Sequence, residues 1–259
     1  MSIITLLTDF GYKDNFVGVV KGVLLGINPR IHAVDLCHEV EPQNITAAAF
    51  ALKTAYKYFP KDTIHLVIID PSVGSARLPI LVKTKEHYFI GPDNGVLSLA
   101  LEQEEIEGIV YLDNYEFHLR PVSNTFHARD IFAPVAAHLT KGISYQLFGK
   151  GIKSYKKIKL PKPKVGRKYI KGEVIYIDRF GDLVTNISQD LQEKITRSRI
   201  SIKNKSIRGV KSSYAQVKQD SLLAIWGSSG FLEIAVNSGS AKNKLNVDIG
   251  DQVDIITNA

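Results

Sequence analysis

Cysteine, methionine and tryptophan are nearly absent from this chain, which has one of each in 259 residues. The single cysteine, Cys37, has no internal partner for a disulfide, which fits a reducing compartment, so we expect a cytoplasmic protein. No apolar run reaches the roughly 18–20 residues that cross a bilayer, and we expect no membrane contact. The N-terminal apolar run lacks a basic start and meets Asp9 early, which predicts a strand and not a signal peptide.

Several nucleotide and catalytic motifs are also missing from the sequence. There is no G-x-G-x-x-G, no phosphate-binding P-loop and no G-x-S-x-G, so neither the usual dinucleotide fingerprint nor a serine hydrolase is indicated. The seven histidines are scattered without the spacing of metal ligands. The sequence therefore predicts no metal site.

Basic residues outnumber acidic ones, 33 to 26, which gives a net charge of +7. Much of the excess lies in one run, Lys150 to Lys168, with eight lysines, one arginine and no acid. We interpret this run first as a solvated linker and second as a binding patch. Tyr155 and Tyr169 do not make an interleaved aromatic platform, so we expect no nucleic-acid partner.

The first part of the chain alternates strand and helix patterns. Short apolar runs at 3–8, 31–36 and 64–69 predict strands, and helical periodicity at 16–25 and 42–58 predicts the helices between them. Strands separated by helices indicate a mainly parallel sheet with right-handed crossovers. Further predicted elements are strands at 78–83, 87–90, 110–112 and 116–119 and helices at 96–102 and 131–139, the last capped by Asn124 or Thr125.

The helical periodicity ends near residue 160, where Pro161-Lys162-Pro163-Lys164 is stiff and extended. Short strands then follow one another between turn residues, at 172–178, 183–187, 199–202, 222–225, 231–236 and 252–256. We therefore predict an α/β domain over 1–155, a basic linker over 156–168 and a small β-barrel or sandwich over 169–259.

Candidate functional residues follow the strand at 64–69. The apolar run ends on Asp70, Pro71 stops the strand, Gly74 allows a tight turn, and Arg77 follows on the loop. Open α/β sheets bind ligands at the carboxyl ends of their strands. The structural alternative is an Asp that caps the next turn, with Arg77 as its solvated partner.

Asp9 also ends a predicted buried strand, so Asp9 and Asp70 are expected at one edge of the sheet. Paired acids at such an edge bind ribose hydroxyls or a metal, or position water. His127, beside Arg129 and Asp130, is the best catalytic candidate, although a histidine at a helix start is often structural. In the second domain, the turn at 178–182 is unusual, with a β-hairpin plugged by an aromatic ring as its structural alternative. The Gly/Ser turns at 226–231 and 236–241 either contact an adenine edge through backbone groups or are plain turns.

Taken together, these stretches resemble the S-adenosylmethionine hydroxide adenosyltransferases (DUF62 family), relatives of the fluorinase and chlorinase. The resemblance covers the whole chain and rests on several motifs in order. They are T-D-F-G at 8–11, V-D-L-C-H at 34–38, I-D-P-S-V-G-S-A-R at 69–77, G-P-D-N-G at 91–95, F-H-A-R-D at 126–130, I-D-R-F-G-D at 177–182 and T-N-I at 185–187.

The resemblance implies a Rossmann-like α/β domain followed by a small β-barrel. It also implies a homotrimer that binds S-adenosylmethionine between the first domain of one subunit and the barrel of the next. The substrate-binding residues implied by the resemblance are Asp9 for the ribose hydroxyls with Asp14 nearby, Phe180 and Asp182 for adenine, Asp178 for the methionine amino group, Ser228 for the carboxylate, and Ser229, Val236 and Ser238. Other members often have Asn where this chain has Asp182.

The catalytic residues that the resemblance implies are Asp70, Arg77 and His127. Fluorinase-like members have Tyr at the position of Asp70, so the Asp argues for water and not halide as the nucleophile. The expected reaction gives adenosine and methionine, with no cofactor. Whether Asp70 or His127 takes the proton is open at this point. The alternatives are halide displacement and a non-catalytic protein that binds S-adenosylmethionine or adenosine.

Overall fold

The computed structural model describes residues 2–195 and 198–257. The chain divides into two compact units, Met1–Ile158 and Lys159–Ala259. The predicted linker, 156–168, includes the first strand of the second unit, at Lys164–Val165. Among the described residues, no helix is long and apolar enough to cross a membrane.

The first unit is a seven-stranded sheet with helices packed on it. Its regular elements are β1 (Ser2–Thr8), α1 (Phe16–Ile27), β2 (Ile31–Cys37), α2 (Ile45–Ala55), β3 (Ile64–Ile68), β4 (Pro79–Thr84), β5 (Tyr88–Pro92), α3 (Ser98–Leu101), β6 (Ile106–Tyr111), α4 (Ala133–Leu139) and β7 (Lys150–Gly151). The strand order is β2-β1-β3-β5-β4-β6-β7. β1 runs parallel to β2 and β3, and β3 runs parallel to β5, which confirms the predicted parallel sheet.

Apolar side chains of the central strands pack on both faces of this sheet, which explains why β3 is apolar except for the buried His65. Leu66 and Ile68 pack in one core with α1 and α4, whereas Val67 and Ile69 pack in another with α2 and α3. All four are at most 2% exposed. The two cores fix the sheet from both sides, so the loops at its carboxyl edge start from rigid positions.

Several element boundaries differ from the sequence prediction. The helix predicted over 42–58 spans only Ile45–Ala55, because Asn44 caps it by accepting from Ala47 N, and a 3-10 turn, Tyr56–Tyr58, follows. The strand predicted at 116–119 is instead part of a loop that begins with a 3-10 turn, Tyr115–Phe117. The helix predicted at 96–102 is reduced to the single turn α3.

The second unit is an all-β, barrel-like domain, as predicted. Its elements are β8 (Lys164–Val165), β9 (Tyr169–Ile177), β10 (Leu183–Ser188), α5 (Gln192–Ile195), β11 (Arg199–Ile202), β12 (Lys205–Arg208), β13 (Val210–Lys211), β14 (Leu222–Trp226), β15 (Phe231–Val236), α6 (Ala241–Leu245) and β16 (Gln252–Ile256). The strand order is β12-β11-β16-β9-β10-β15-β14-β13, with β8 beside β9. β12 at one end of this order contacts β14 near the other, so the sheet curves back on itself.

A cluster of aromatic and imidazole rings fills one buried region of the first unit. His65 on β3 is fully buried, its Nδ1 lies 2.8 Å from the Thr5 hydroxyl, and its ring packs 5.1 Å from those of His87 and Phe89. Burial, and then the neighbouring His87, lowers the pKa of His65 to about 3. The unfolded chain, where a histidine titrates near 6.5, therefore binds more protons than the folded one as the pH falls below about 6.5.

We expect this difference to reduce the free energy of unfolding by about 2 kcal/mol between pH 8 and pH 5. His65→Asn keeps a polar group near Thr5 but cannot titrate. Between pH 8 and pH 5 its free energy of unfolding, measured in urea, should therefore fall by about 2 kcal/mol less than that of the wild type. His32→Asn, at an exposed histidine on β2, is the matched control and should lose as much as the wild type. If the free energy of unfolding fell by the same amount in both variants, His65 would not be buried in its neutral form.

Candidate active site

The carboxyl ends of β1 and β3 lie side by side, because the two strands are parallel neighbours with Thr8 opposite Ile68. Asp9 and Asp70 follow these strands and line one cavity of about 290 Å³. The other residues that line it are Phe10, Gln43, Ile68, Pro71, Val73, Thr125, Phe126, His127 and Ala128. The structure therefore brings Asp9, Asp70 and His127 together, from three separate parts of the sequence.

Arg77 binds the carboxylate of Asp70 with both of its forked nitrogens. Nε donates to Oδ1 at 3.0 Å, Nη2 donates to Oδ2, and both side chains are almost fully buried. The guanidinium also lies 5.4 Å from the centre of the Phe132 ring. A buried carboxylate requires such a partner, so the alternative of a solvated Arg77 is wrong.

Gly74 lets the loop between Asp70 and Arg77 pack against the loop that precedes His127. Its φ of +78° is in the left-handed region, and a Cβ there would lie 2.4 Å from the backbone oxygen of Asn124. Only a residue without a side chain fits so close to another backbone. Asn124, predicted as a helix cap, instead belongs to this contact between loops.

His127 precedes a wide helical turn, Ala128–Phe132, that leads into α4. Pro134 has no N–H, so it cannot donate to the carbonyl of Asp130 four residues earlier, as a regular helix requires. The N–H of Leu119 donates to that carbonyl at 2.9 Å. The missing N–H of Pro134 thus leaves this carbonyl free to bind a distant loop. Neither Asn124 nor Thr125 caps the turn, because His127 occupies the N-cap position and no side chain makes a capping hydrogen bond there.

The hydrogen bond between Arg77 and His127 decides which imidazole nitrogen carries the proton. Nη2 of Arg77 lies 2.7 Å from Nδ1 of His127, and arginine nitrogens only donate, so Nδ1 accepts. Burial, and then the charge of Arg77, lowers the pKa of His127, which favours the neutral ring. Neutral His127 therefore carries its proton on Nε2 and is a hydrogen-bond donor there.

Asp9 is held by a backbone group that the sequence did not reveal. The amide of Gln43 donates to Oδ2 of Asp9 at 2.8 Å, and Gln43 has φ +67°, which is costly for a residue with a side chain. Asp14, by contrast, lies in a separate groove beside Tyr12 and Lys21, so the structure does not place it at the cavity of Asp9.

Four of the seven predicted residues of the second unit line one cavity of about 490 Å³, namely Phe180, Asp182, Val236 and Ser238. The cavity is also lined by Gly239, from the turn at 236–241, and by Tyr214, which the sequence did not indicate. Phe180 is 77% exposed, so an aromatic face is available to a ligand. Asp178 does not line this cavity. Its Oδ1 accepts from the amides of Phe180 at 2.9 Å and Asp182 at 2.8 Å, which shapes the turn between β9 and β10.

Three carboxyl groups and a phenol share this part of the second unit. Burial, and then the charge of Asp178, raises the pKa of Asp182 to about 6. Burial, and then Asp182, raises the pKa of Glu233 to about 7. The hydroxyl of Tyr214 lies 3.3 Å from Oδ2 of Asp182, and burial, and then that carboxyl, raises its pKa to about 12. A cationic ligand group near these carboxyls would favour their ionised forms.

Ser228 and Ser229 lie in the turn between β14 and β15, outside the residues that line the cavity. Ser228 is exposed, and Gly227 beside it contacts the carboxyl of Glu233 closely. Among the described residues, no group of three or more His, Cys, Asp or Glu side chains is arranged to hold a metal ion.

We expect Gly74→Ala to destabilise the protein more than Gly142→Ala. Both glycines have positive φ, +78° and +84°, so each alanine costs about 1 kcal/mol of conformational strain. Only the Cβ at Gly74 meets backbone, which adds about 1–3 kcal/mol, because nothing lies within 4 Å at Gly142. Free energies of unfolding in urea measure the difference, and equal values would show that the two loops are not in close contact.

Comparisons with known proteins agree with this architecture. The protein-family model of the SAM hydroxide adenosyltransferase N-terminal domain matches residues 4–149 of the sequence, and the family model of the C-terminal domain matches residues 172–254. A protein of Methanocaldococcus jannaschii named (R)-S-adenosyl-L-methionine hydrolase is 36% identical, over 99% of this chain and 96% of its own. A fluorinase of Nocardia brasiliensis is 23% identical, over 98% and 96%.

A crystal structure of an uncharacterised conserved protein from Thermotoga maritima has a TM-score of 0.91 at 40% identity, and the match covers 98% of this chain and 99% of that one. A structure of a conserved hypothetical protein from Thermus thermophilus has a TM-score of 0.81 at 31% identity, covering 99% and 100%. With both domain models matched in order along one chain, this protein belongs to the SAM hydroxide adenosyltransferase family.

Proposed function

We propose that this protein hydrolyses S-adenosylmethionine to adenosine and methionine by attack of water on C5′. The observation that carries the proposal is the hydrogen-bonded array of Asp70, Arg77 and His127 at the cavity of Asp9. Relatives named (R)-S-adenosyl-L-methionine hydrolase, at 31–36% identity over nearly the whole chain, support it.

The chemistry asks little of the protein beyond placing the water. A sulfonium leaves as a neutral thioether, so no general acid is needed, and the positive sulfur already activates C5′. For this reason we propose that no metal or cofactor takes part. What the site supplies is a water in line with the C5′–S bond and an acceptor for its proton, and alignment of this kind accounts for a large part of a rate enhancement.

In this proposal Asp70 and His127 have different roles toward the water, and the hydrogen bond from Arg77 to His127 supports the division. The one basic nitrogen of neutral His127, Nδ1, is already hydrogen-bonded to Arg77, so His127 does not take the proton. Its Nε2–H donates to one lone pair of the water and leaves the other to attack carbon. Asp70, held at both oxygens by Arg77, keeps lone pairs that accept the water's hydrogen and then its proton.

Substrate binding draws on both units in this proposal. Asp9 binds the ribose hydroxyls, Phe180 and Asp182 contact adenine, Asp178 meets the methionine ammonium, and Ser228 the carboxylate. Ser229, Val236 and Ser238 complete the set, and Asp14, which lies in a groove separate from the cavity of Asp9, is not part of it. Burial of Asp182 supports its place beside a ring with polar edges. We propose that the active form is a homotrimer with each site between subunits, in the cytoplasm.

Halide displacement is the competing reaction, and the distant fluorinase relatives are the reason to test it. The carboxylate of Asp70 lies where an incoming anion would be repelled. At 4 Å, two like unit charges repel by about 4 kcal/mol at an effective dielectric constant of 20, and the guanidinium of Arg77 beside Asp70 offsets part of that repulsion. Water carries no such penalty.

We expect purified protein to convert S-adenosylmethionine to adenosine and methionine in excess chloride or fluoride, with no 5′-halogenated product. In ¹⁸O-water the label should enter the 5′-hydroxyl of adenosine, because its oxygen comes from solvent, and mass spectrometry of the products measures it. Unlabelled adenosine would exclude attack of water at C5′. Accumulation of 5′-chloroadenosine or 5′-fluoroadenosine would show that the protein is a halogenase and not a hydrolase. Binding of S-adenosylmethionine without turnover would show that it is a non-catalytic binding protein.

Two substitutions at His127 serve as matched controls for the mechanism. His127→Gln keeps an N–H donor near the position of Nε2, whereas His127→Ala removes it. We expect the glutamine variant to keep more of the rate than the alanine variant, and Asp70→Ala to lose most of it. An alanine variant as fast as the glutamine variant would show that no donor is needed there.

The trimer has its own test, based on mixing two inactive variants, Asp70→Ala and Phe180→Ala. If each site takes Asp70 from one subunit and Phe180 from the next, random co-assembly restores about a quarter of the sites. Activity should therefore return after the variants are unfolded and refolded together, and not after they are refolded apart. No recovery, or an active monomer in light scattering, would contradict a shared site.

A further inference from the structure

A buried hydrogen-bonded pair lies directly behind the turn that carries Asp9. The hydroxyl of Thr8, at the end of β1, lies 2.8 Å from Nδ1 of His38, just after β2. Each residue is only 1% exposed. The hydroxyl therefore cannot reach a substrate, and the pair has to act through its neighbours.

The same two residues fix the backbone of that turn. The amide of Phe10 donates to the Thr8 hydroxyl at 3.2 Å, and the amide of Gly11 donates to the carbonyl of His38 at 2.7 Å. Asp9 lies between these attachment points, and both Asp9 and Phe10 line the cavity. The direction of the Asp9 side chain thus depends on where His38 sits.

Asp35 holds the other side of His38. Nε2 of His38 lies 3.1 Å from Oδ1 of Asp35, within ion-pair distance, although its N–H is not well aligned with that oxygen. Nζ of Lys21 lies 2.7 Å from Oδ2, and the hydroxyl of Tyr12 lies 3.4 Å from it. The Tyr12 ring also packs edge-on against His38 at 5.2 Å.

The direction of the hydrogen bonds follows from the Thr8 oxygen. That oxygen accepts from Phe10 N, and it donates its own hydrogen to Nδ1 of His38 when that nitrogen carries no proton. The proton of His38 then lies on Nε2, the nitrogen that faces Asp35. The order hydroxyl, imidazole, carboxylate is that of a catalytic triad, but with the hydroxyl buried it orients a turn.

We propose that Asp35 and His38 are positioning residues, which set the direction of Asp9 toward the substrate through Thr8. The inference rests on the proposed function, in which Asp9 binds the ribose hydroxyls. The second attachment of Asp9, to the amide of Gln43, holds one carboxylate oxygen, and the Thr8–His38–Asp35 chain holds the backbone that carries it.

Asp35→Asn tests the proposal, because it removes the charge and keeps the shape. We expect the KM for S-adenosylmethionine to rise and the affinity for adenosine to fall by about tenfold each, while kcat changes by less than about twofold. Asp251→Asn is the matched control, since Asp251 also pairs with a lysine, at 2.6 Å. The side chains of the two aspartates are similarly exposed, at 27% for Asp251 and 29% for Asp35. The control should leave all three quantities unchanged.

A double-mutant cycle with Asp9→Ala separates positioning from a general loss of structure. If Asp35 acts through Asp9, then Asp35→Asn has no further effect on adenosine affinity, measured by calorimetry, once Asp9 is alanine. The same tenfold loss in both backgrounds would overturn the inference, as would no loss in the single variant. A wild type that binds adenosine but does not hydrolyse S-adenosylmethionine refutes only the proposed function, and one that does neither refutes both.

Discussion

The buried ion pair between Asp70 and Arg77 is the constraint on which the architecture of the candidate site depends. A carboxylate almost removed from water is stable only beside a well-placed cation, and Arg77 reaches it because Gly74 lets the loop turn back on itself. The same guanidinium then fixes the tautomer of His127. One arginine thus joins the end of β3 to the segment before α4, and an error in either loop would leave a buried charge without its partner.

The sequence was sufficient where the signal was local. A largely apolar run that stops at Asp70-Pro71 predicted a strand buried on both faces, and the strand Ile64–Ile68 is an internal, fully buried strand of its sheet. It was insufficient where a distant group decides the outcome. The helix expected over 131–139 begins as a wide turn, and the carbonyl that Pro134 leaves free accepts from Leu119, a contact that no periodicity in the segment indicates.

The residues of the candidate site also fall into those that the sequence indicated and those that only the folded structure reveals. Charged and imidazole side chains such as Asp70, Arg77 and His127 could be selected because they stand in recognisable motifs, and the structure joins them by hydrogen bonds. The amide of Gln43 could not be selected, because every residue but proline has one and only its position makes it a ligand for Asp9. Tyr214 and Glu233 were missed because their importance comes from burial beside Asp182.

The wide turn before α4 also sets the rotation about the helix axis between the residues before it and the residues after it. A regular α-helix advances about 100° per residue, and a turn that holds one more residue than usual rotates everything before it by that amount relative to everything after it. His127 lies immediately before this turn, and Ala133–Leu139 packs in the core after it. The wide turn therefore rotates His127 relative to the apolar face of α4, so the histidine points in a direction that a regular helix packed on the same core would not give it.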